Sequence, residues 1–203
     1  MNNVLENFLP KLYANDLEAI LCGEQFSWFY LPGTDSVYFT DSITAIKNTK
    51  NTNTKDSFQF CHSMFHHGKP VSKYYDLIYP IVYHISEIAN KDYTNKVMRI
   101  KANLLTKINS VEDDSHHYAH VDQMNTHNQL YSSFLYYVND SDGDTFFFEE
   151  LWSNPQPSEL TLQKKVSPKK NSGVLFNSSQ YHASSSPVKN KIRCVISFIF
   201  NEN

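Results

Sequence analysis

Apolar residues recur at helical spacing in two stretches of the first half of the chain. Over residues 4–21 they fall at mixed three- and four-residue steps, which predicts an amphipathic helix that ends near Gly23. The same spacing over Ser72 to Asn90 predicts a second helix. Pro10 and Pro80 lie inside these stretches and could kink or split the helices, because proline lacks the backbone donor that a helix interior uses.

Beyond residue 95 the pattern changes to short segments that are rich in β-branched and aromatic residues and are separated by turn formers. Eight of these segments predict strands: Lys96–Lys107, Tyr118–Asp122, Leu130–Val138, Thr145–Leu151, Leu160–Val166, Gly173–Phe176, Gln180–Ala183 and Lys191–Phe200. Between the two predicted helices, Phe26–Thr40 predicts a short strand and turn, and the polar run Lys47–Lys55 predicts a surface loop.

Strands that follow helices, with no room for a helix of ten or more residues between them, argue against βαβ units. We therefore predict an α+β fold whose core is a double-stranded β-helix of the jelly-roll or cupin-like type. The length of 203 residues fits one domain. Residues 1–95 would form a helical and aromatic supporting region, and residues 96–200 the jelly-roll core.

Composition and charge exclude several classes of function. Eighteen basic residues stand against 21 acidic ones, so the formal net charge is -3, without the concentrated basic surface of a nucleic-acid binder. No stretch approaches the roughly 20 apolar residues that span a bilayer, and Met1–Leu9 has neither a basic start nor a long apolar run. We expect a cytoplasmic protein that binds neither nucleic acid nor membrane.

Two further features of the composition bear on compartment and origin. The 3 cysteines are far apart and form no Cys-x-x-Cys pair, which argues against a disulfide framework or a thiolate zinc site. Only 5 glycines occur in a chain rich in Asn and Ser, which indicates an AT-rich coding sequence, such as that of a virus or phage.

Four residues of the predicted core carry candidate chemistry. His120 and Asp122 have one residue between them, so on a strand both side chains leave the same face. His182 follows an apolar strand and a turn, and Arg193 opens the last apolar strand. Two imidazoles and a carboxylate on one side of an octahedral ion leave three positions open, which is the arrangement of non-haem Fe(II) oxygenases. A guanidinium is the best partner for the far carboxylate of a dicarboxylic cosubstrate.

Over about Lys96 to Phe200 the chain resembles the Fe(II)/2-oxoglutarate-dependent dioxygenase superfamily, and most closely its prolyl 4-hydroxylase-like branch. The family pattern is His-x-Asp, a long gap, His, and then Arg or Lys about ten residues later; it is met by His120, Asp122, His182 and Arg193. The segment Leu135–Asp140 resembles the Tyr-Leu-Asn-Asp strand of the branch, and Asp142–Phe146 resembles its Gly-Gly-Glu-Thr turn.

The resemblance implies that His120, Asp122 and His182 hold Fe(II) and that 2-oxoglutarate and O2 are cosubstrates. It implies further that Arg193 binds the distal carboxylate of 2-oxoglutarate with the help of Tyr137. Ser133 has the strand parity to point inward with Tyr137 and is a second, weaker candidate for cosubstrate binding.

The chain departs from the family pattern at three places. Val195 occupies the position of the serine in the plant-type Arg-x-Ser pair, and Ser197, one pleat further on, could assist Arg193 or simply pack. Lys191 is close enough in sequence to compete with Arg193 as the anchor. Asp142 replaces the first glycine of the turn. None of these changes removes a metal ligand.

The function implied is hydroxylation of a substrate C–H bond, coupled to decarboxylation of 2-oxoglutarate to succinate and CO2. A protein or peptide is the favoured substrate, with a prolyl residue as one candidate and a small molecule left open. Two alternatives remain: a jelly-roll binding module without chemistry, and a cupin-like metalloenzyme that does not use 2-oxoglutarate.

The remaining histidines are not predicted to bind metal. The cluster of His62, His66 and His67 has no carboxylate at matching spacing. His116, His117 and His127 are predicted at the rim of the site, without an assigned role. Asn103 on the first predicted strand could point toward the cosubstrate or simply pack.

Overall fold

The computed structural model describes residues 4–33, 46, 48–50, 52–55, 57–108 and 115–203. Three helices lie in these ranges: α1 (Lys11–Leu21), α2 (Tyr75–Ile78) and α3 (Ile81–Ala89). The strands are β1 (Val4–Glu6), β2 (Phe29–Leu31), β3 (Thr49–Lys50), β4 (Asn53–Thr54), β5 (Gln59–His66), β6 (Lys69–Pro70), β7 (Val97–Thr106), β8 (Ser115–His116), β9 (Tyr131–Tyr137), β10 (Thr145–Leu151), β11 (Leu160–Val166), β12 (Ser172–Asn177), β13 (Gln180–Ser184) and β14 (Ile192–Asn201).

Two sheets of mostly antiparallel strands face each other. The larger sheet has the strand order β1-β12-β9-β14-β7-β5-β2, with β6 beside β5, and the smaller has the order β13-β10-β11-β3. Their facing sides share an apolar cluster that includes Val195 of the larger sheet and Phe147 of the smaller. This sandwich, with its helices before residue 96, confirms the predicted α+β fold with a jelly-roll core.

The helices cover the outer side of the larger sheet. On β14, Ile196 and Phe198 belong to the same core cluster as Leu17 of α1 and Ile81 of α3. The alternate residues of β14, which include Val195 and Ser197, face the smaller sheet. Because both faces of β14 are covered, its sequence is almost continuously apolar rather than alternating. None of the helices in the described ranges is long and apolar enough to cross a membrane.

Both predicted helices are shorter than expected. Pro10 stands at the N-cap of α1, and the three residues Val4–Glu6 form strand β1 against β12 instead of continuing the helix. Proline is tolerated at a helix start, where its missing N–H has no partner to lose. The second predicted helix is divided into α2 and α3, with Pro80 as the N-cap of α3.

Most predicted strands are confirmed, with local corrections. The predicted strand Tyr118–Asp122 does not form. Within it, Ala119 and His120 make only isolated β-bridges. Strand β5 was not predicted, although it pairs with β7 in the larger sheet. The predicted loop Lys47–Lys55 contains the short strands β3 and β4. Parts of that loop, and the predicted segment Phe26–Thr40 beyond residue 33, lie outside the described residues.

Candidate metal and cosubstrate site

The structure brings the three predicted metal ligands together between the sheets. The candidate ligand atoms of His120, Asp122 and His182 all lie within 4.8 Å of one another. His120 and His182 exchange two backbone hydrogen bonds of 2.9 Å, which aligns their rings with centroids 4.6 Å apart. The backbone N–H of Asp122 donates to the carbonyl of Ser178 at 3.0 Å, so the loop after His120 turns the carboxylate toward both rings.

The side-chain hydrogen bonds leave one free ligand atom on each residue of this triad. Nδ1 of His120 donates to the carbonyl of Tyr118 at 3.2 Å, and Nδ1 of His182 donates to that of Gln180 at 3.0 Å. Both Nε2 atoms therefore keep their lone pairs, as in metal-bound histidines that are oriented through the other nitrogen. Oδ2 of Asp122 is buried without a hydrogen-bond partner and lies 3.8 Å from Nε2 of His182. This donor set fits a divalent metal ion.

Electrostatics keeps His120 and Asp122 in the protonation states that bind metals. Burial, and then the neighbouring His182, lower the pKa of His120 to about 3, so its imidazole is neutral at neutral pH. Burial alone would raise the pKa of Asp122, but His182, Arg99 and His120 together hold it well below its ordinary value. A neutral imidazole and an ionised carboxylate are the ligand forms that a metal requires.

Arg193 is held at the other end of the site by residues from the turn before β10 and from β10 itself. It is 3% exposed, and its Nε donates to the carbonyl of Gly143 at 2.7 Å. Its Nη2 donates to Oγ1 of Thr145 at 2.7 Å, and the hydroxyl of Tyr137 donates to the same oxygen at 2.9 Å. Lys191, the competing candidate, is exposed and does not line the pocket. We call this cluster of Arg193, Thr145 and Tyr137 the arginine end.

One pocket joins the arginine end to the triad, which we call the metal end. Its lining includes the three predicted ligands together with Thr145 and Arg193. On β10 and β13, Thr145 pairs with Ser184 and Phe147 pairs with His182, so the two ends lie two residues apart along these strands. Two residues of antiparallel strand span about 7 Å, which suits a cosubstrate with a carboxylate at one end and a metal-chelating group at the other.

Strand β7 supplies a third side of the pocket, and sequence reasoning did not assign most of it. Arg99, Lys101 and Asn103 alternate along the strand and all line the pocket; we call them the β7 polar row. Nη2 of Arg99 donates to Oδ1 of Asp122 at 2.8 Å. Lys101 is 8% exposed, and burial lowers its pKa to about 8, which leaves it mostly protonated at neutral pH.

The two weaker cosubstrate candidates lie in different places. Tyr137 is fully buried beside Thr145 at the arginine end, although it is not among the pocket-lining residues. Ser133 lies four residues earlier on β9, where it shares a hydrogen bond of 2.8 Å with Ser178 and helps to lower the pKa of Asp122. The structure therefore places Ser133 at the metal end rather than next to Arg193.

Three of the other histidines, His62, His116 and His117, have structural partners. The ring nitrogens of His62 lie 2.6 Å from the carbonyl of Ser27 and 2.6 Å from the hydroxyl of Ser72. His116 and His117 are buried and hydrogen-bonded, so the predicted rim position is wrong for both, whereas His127 is exposed. In the described part of the chain, the triad is the only group of three potential metal ligands found.

Sequence reasoning missed Thr145, Arg99 and Lys101 as site residues. Thr145 stands in the turn that resembles the family's Gly-Gly-Glu-Thr, but no role was drawn from it. Arg99 and Lys101 alternate with apolar Ile100 and Ala102, a period of two that usually indicates a solvent-facing polar side. Here the polar side faces the pocket and the apolar side faces the helices.

Comparison with known proteins finds a family that matches the part of the chain containing this site. The family model described as the 2OG-Fe(II) oxygenase superfamily matches residues 106–201, a range that contains the triad and Arg193. Among curated proteins, none matches the chain.

Several solved structures share the fold. A 2OG-Fe(II) oxygenase family oxidoreductase from Burkholderia pseudomallei superposes with a TM-score of 0.62 at 10% identity, over 100% of this chain and 85% of its own. A Trichoplax adhaerens prolyl hydroxylase, in complex with a hypoxia inducible factor peptide fragment, gives 0.56 at 12% identity, over 98% and 82%. A Pseudomonas putida prolyl-4-hydroxylase gives 0.52 at 12% identity, over 100% and 92%. At such identities the likeness establishes the fold.

Proposed function

We propose that this chain, whose residues 106–201 match the model of the 2OG-Fe(II) oxygenase superfamily as the resemblance predicted, hydroxylates a C–H bond at the site described above. The family gives the general activity, an oxygenase that uses Fe(II), 2-oxoglutarate and O2. The assignment of residues is ours: His120, Asp122 and His182 hold the metal, and Arg193 binds 2-oxoglutarate.

One observation carries the assignment. The triad and the buried Arg193 line the same pocket, at opposite ends. A buried guanidinium needs an anionic partner, and the distal carboxylate of 2-oxoglutarate would supply one. The unpartnered Oδ2 of Asp122 and the free Nε2 atoms of both histidines likewise need a cation.

The chain's own residues would bind the metal and the cosubstrate, orient them and shield them from water. When bound, Fe(II) with 2-oxoglutarate and O2 would supply the oxidation, in which 2-oxoglutarate becomes succinate and CO2 and the substrate gains one oxygen atom. Gly143 and Thr145 fix the guanidinium of Arg193, so that the cosubstrate carboxylate meets a preoriented donor. Apolar Leu135 and Val195 line the pocket between its ends and limit the access of water.

A peptide, with a prolyl residue as one candidate, is the substrate we favour. The support is the fold shared with two prolyl hydroxylases, one of which was solved with a peptide fragment. The ring of Phe60 does not face the pocket, because Phe60 pairs with Leu104 on the helix side of β7. The cytoplasmic location and the viral or phage origin stay predictions.

Turnover of 2-oxoglutarate tests the proposal. We expect the Fe(II)-loaded protein to convert 2-oxoglutarate to succinate in air, at a rate that rises with a proline-containing peptide that gains the mass of one oxygen. Asp122→Ala and His182→Ala should abolish succinate formation, and an exposed histidine variant, His127→Ala, is the matched control. Succinate formation that continues in either ligand variant would contradict the metal assignment.

The same assay separates the alternatives. A binding module would form no succinate at all. A cupin-like metalloenzyme would bind the metal through the same triad, yet Arg193→Ala would have no effect on any activity found.

A further inference from the structure

The β7 polar row gives the pocket more positive charge than its proposed ligands balance. Three cations (Arg99, Lys101 and Arg193) and one carboxylate (Asp122) are among the lining residues. A divalent metal would add two positive charges, and 2-oxoglutarate would balance two. The occupied pocket would therefore keep two unbalanced positive charges, and a buried charge without a partner is costly.

Lys101 is the residue that this imbalance leaves without a partner. Within the described ranges it has no hydrogen bond or ion pair, although more than nine-tenths of it is buried. Asp122 attracts it, but Oδ1 of that carboxylate already accepts from Arg99, and Oδ2 faces the histidines. The Nζ of Lys101 opens on the pocket, where an anion from outside the chain can reach it.

The strand register puts Lys101 far from the arginine end. On β7 and β14, Leu105 pairs with Arg193, whereas Lys101 pairs with Ser197. Four residues of strand separate the two pairs, which corresponds to about 14 Å. Arg193 and Lys101 therefore serve different parts of the pocket, and one carboxylate cannot satisfy both.

Two uncharged groups next to Lys101 also lack partners. Oδ1 of Asn103 and Oγ of Ser197 are buried without hydrogen bonds, and both residues line the pocket. Buried polar atoms in proteins are almost always hydrogen-bonded. The ammonium of Lys101 and the hydroxyl of Ser197, which are paired positions on β7 and β14, can both donate to a small anion, whereas Oδ1 of Asn103 can only accept from a donor group beside it.

We propose that Lys101 and Ser197 form a subsite at the metal end of the pocket for a carboxylate of the primary substrate. This inference rests on the proposed function, because it takes the Arg193 end as the place of the distal cosubstrate carboxylate. The other candidate occupant, the carboxylate next to the keto group of 2-oxoglutarate, is the outcome that would contradict this inference. The charge count favours the primary substrate, which would then be an acidic molecule or peptide.

The first arm of the test is calorimetric titration of the Mn(II)-loaded protein with 2-oxoglutarate. Loss of one charge-assisted hydrogen bond should weaken binding by about 10- to 100-fold. If Lys101→Met weakens 2-oxoglutarate binding by such a factor and Lys101→Arg restores it, the cosubstrate carboxylate occupies the subsite and the inference is overturned. The exposed Lys11→Met is the matched control. Lys101→Met removes a buried charge, so its thermal unfolding temperature should not fall.

The second arm asks whether another carboxylate binds when 2-oxoglutarate is already present. The probe is 13C-labelled acetate, whose relaxation bound Mn(II) enhances at short range. If Lys101→Met leaves 2-oxoglutarate affinity intact but removes most of the acetate enhancement seen in the wild type, the subsite serves the primary substrate.

The two arms together decide the inference. Unchanged 2-oxoglutarate affinity together with unchanged acetate enhancement in Lys101→Met would overturn it. Failure of the wild type to bind 2-oxoglutarate, or an Arg193→Met variant that binds it normally, would instead overturn the proposed function. The acetate measurement without 2-oxoglutarate would then still decide whether Lys101 binds a carboxylate.

Discussion

Arg193 on β14 and Thr145 on β10 are joined across the two sheets by a hydrogen bond of 2.7 Å from Nη2 to Oγ1. The carbonyl of Gly143, just before β10, accepts from Nε of the same guanidinium at 2.7 Å. The turn that resembles the family's Gly-Gly-Glu-Thr thus has a physical role, which is to fix the direction in which Arg193 presents its remaining donors.

Removing the hydroxyl of Thr145 should weaken cosubstrate binding without affecting the metal. Thr145→Val keeps the shape but loses an acceptor shared by Arg193 and Tyr137. The contact orients Arg193 and does not itself touch the cosubstrate, so we expect its loss to cost about 1 kcal/mol of binding, a fall in 2-oxoglutarate affinity of about 3- to 10-fold. Calorimetry with the Mn(II)-loaded protein measures this, with Thr145→Ser as the rescue and Thr161→Val as the control. Equal affinity in wild type and Thr145→Val would refute this role.

A methyl group at Gly143 should displace Arg193. A Cβ there would lie 2.6 Å from the carbonyl oxygen of Ser185 and 2.9 Å from Cδ of Arg193. We expect Gly143→Ala to weaken the binding of 2-oxoglutarate more than Thr145→Val does, while the affinity for Mn(II) stays unchanged. Gly68→Ala is the control: its φ of +74° strains any side chain, so stability falls at a position outside the pocket lining. If both variants lower the affinity for 2-oxoglutarate equally, general destabilisation of the fold explains the result.

The sequence was sufficient to predict the fold class and to single out four residues of local motifs that the structure brings into one pocket. His120 and Asp122 are adjacent on one segment, and His182 and Arg193 belong to segments whose apolar pattern is easy to interpret. The structural features that the sequence did not predict are those that depend on pairing with segments far away in the chain. Val4–Glu6 is a strand only because β12 lies beside it, and local spacing cannot report that pairing.

Two other misses have local physical causes. Strand β5 has a register shift between Ser63 and Phe65, which disrupts the alternation by which a strand is recognised. The β7 polar row has the alternation of a solvent-exposed face, and only the tertiary structure shows that Arg99 and Lys101 face a pocket. When both faces of a strand are covered, a row of polar residues on one face indicates a functional site. The sequence alone does not distinguish such a row from one that faces solvent.

Asp142, the residue that replaces the first glycine of the turn, should stabilise the loop before β14. Its carboxylate accepts backbone N–H groups of Val188, Lys189 and Asn190 at 3.1, 2.7 and 3.0 Å. Burial raises its pKa, but these donors lower it further, to a net value below 3.8. We expect Asp142→Ala to reduce the free energy of unfolding by about 1–3 kcal/mol at neutral pH.

The pH dependence of that loss follows from the lowered pKa. The stabilisation is fully present above the unfolded-state value of 3.8 and is lost as the pH falls through the lower folded-state value. Denaturant unfolding should therefore show a gap between wild type and Asp142→Ala that narrows in acid. The exposed Asp16→Ala on α1 serves as the control. A gap that widens as the pH falls would contradict the assigned hydrogen bonds.

Metal binding should stabilise the folded protein through the triad alone. A ligand that binds only the folded state at 100 times its Kd adds about 2.7 kcal/mol to the free energy of unfolding. We expect Mn(II) to raise the thermal unfolding temperature of the wild type and of Arg193→Met. Asp122→Ala and His182→Ala should unfold at a temperature that Mn(II) does not change. A full metal shift in either ligand variant would place the metal elsewhere.

The central claim is that the triad and Arg193 act on one ligand within one pocket. Anaerobic titration of the Fe(II)-loaded protein with 2-oxoglutarate tests it most directly, through the visible metal-to-ligand charge-transfer band. We predict that the band appears in the wild type and that Arg193→Ala needs far more 2-oxoglutarate to produce it. Iron binding without any band, or a band that Arg193→Ala leaves at the wild-type concentration, would contradict the claim.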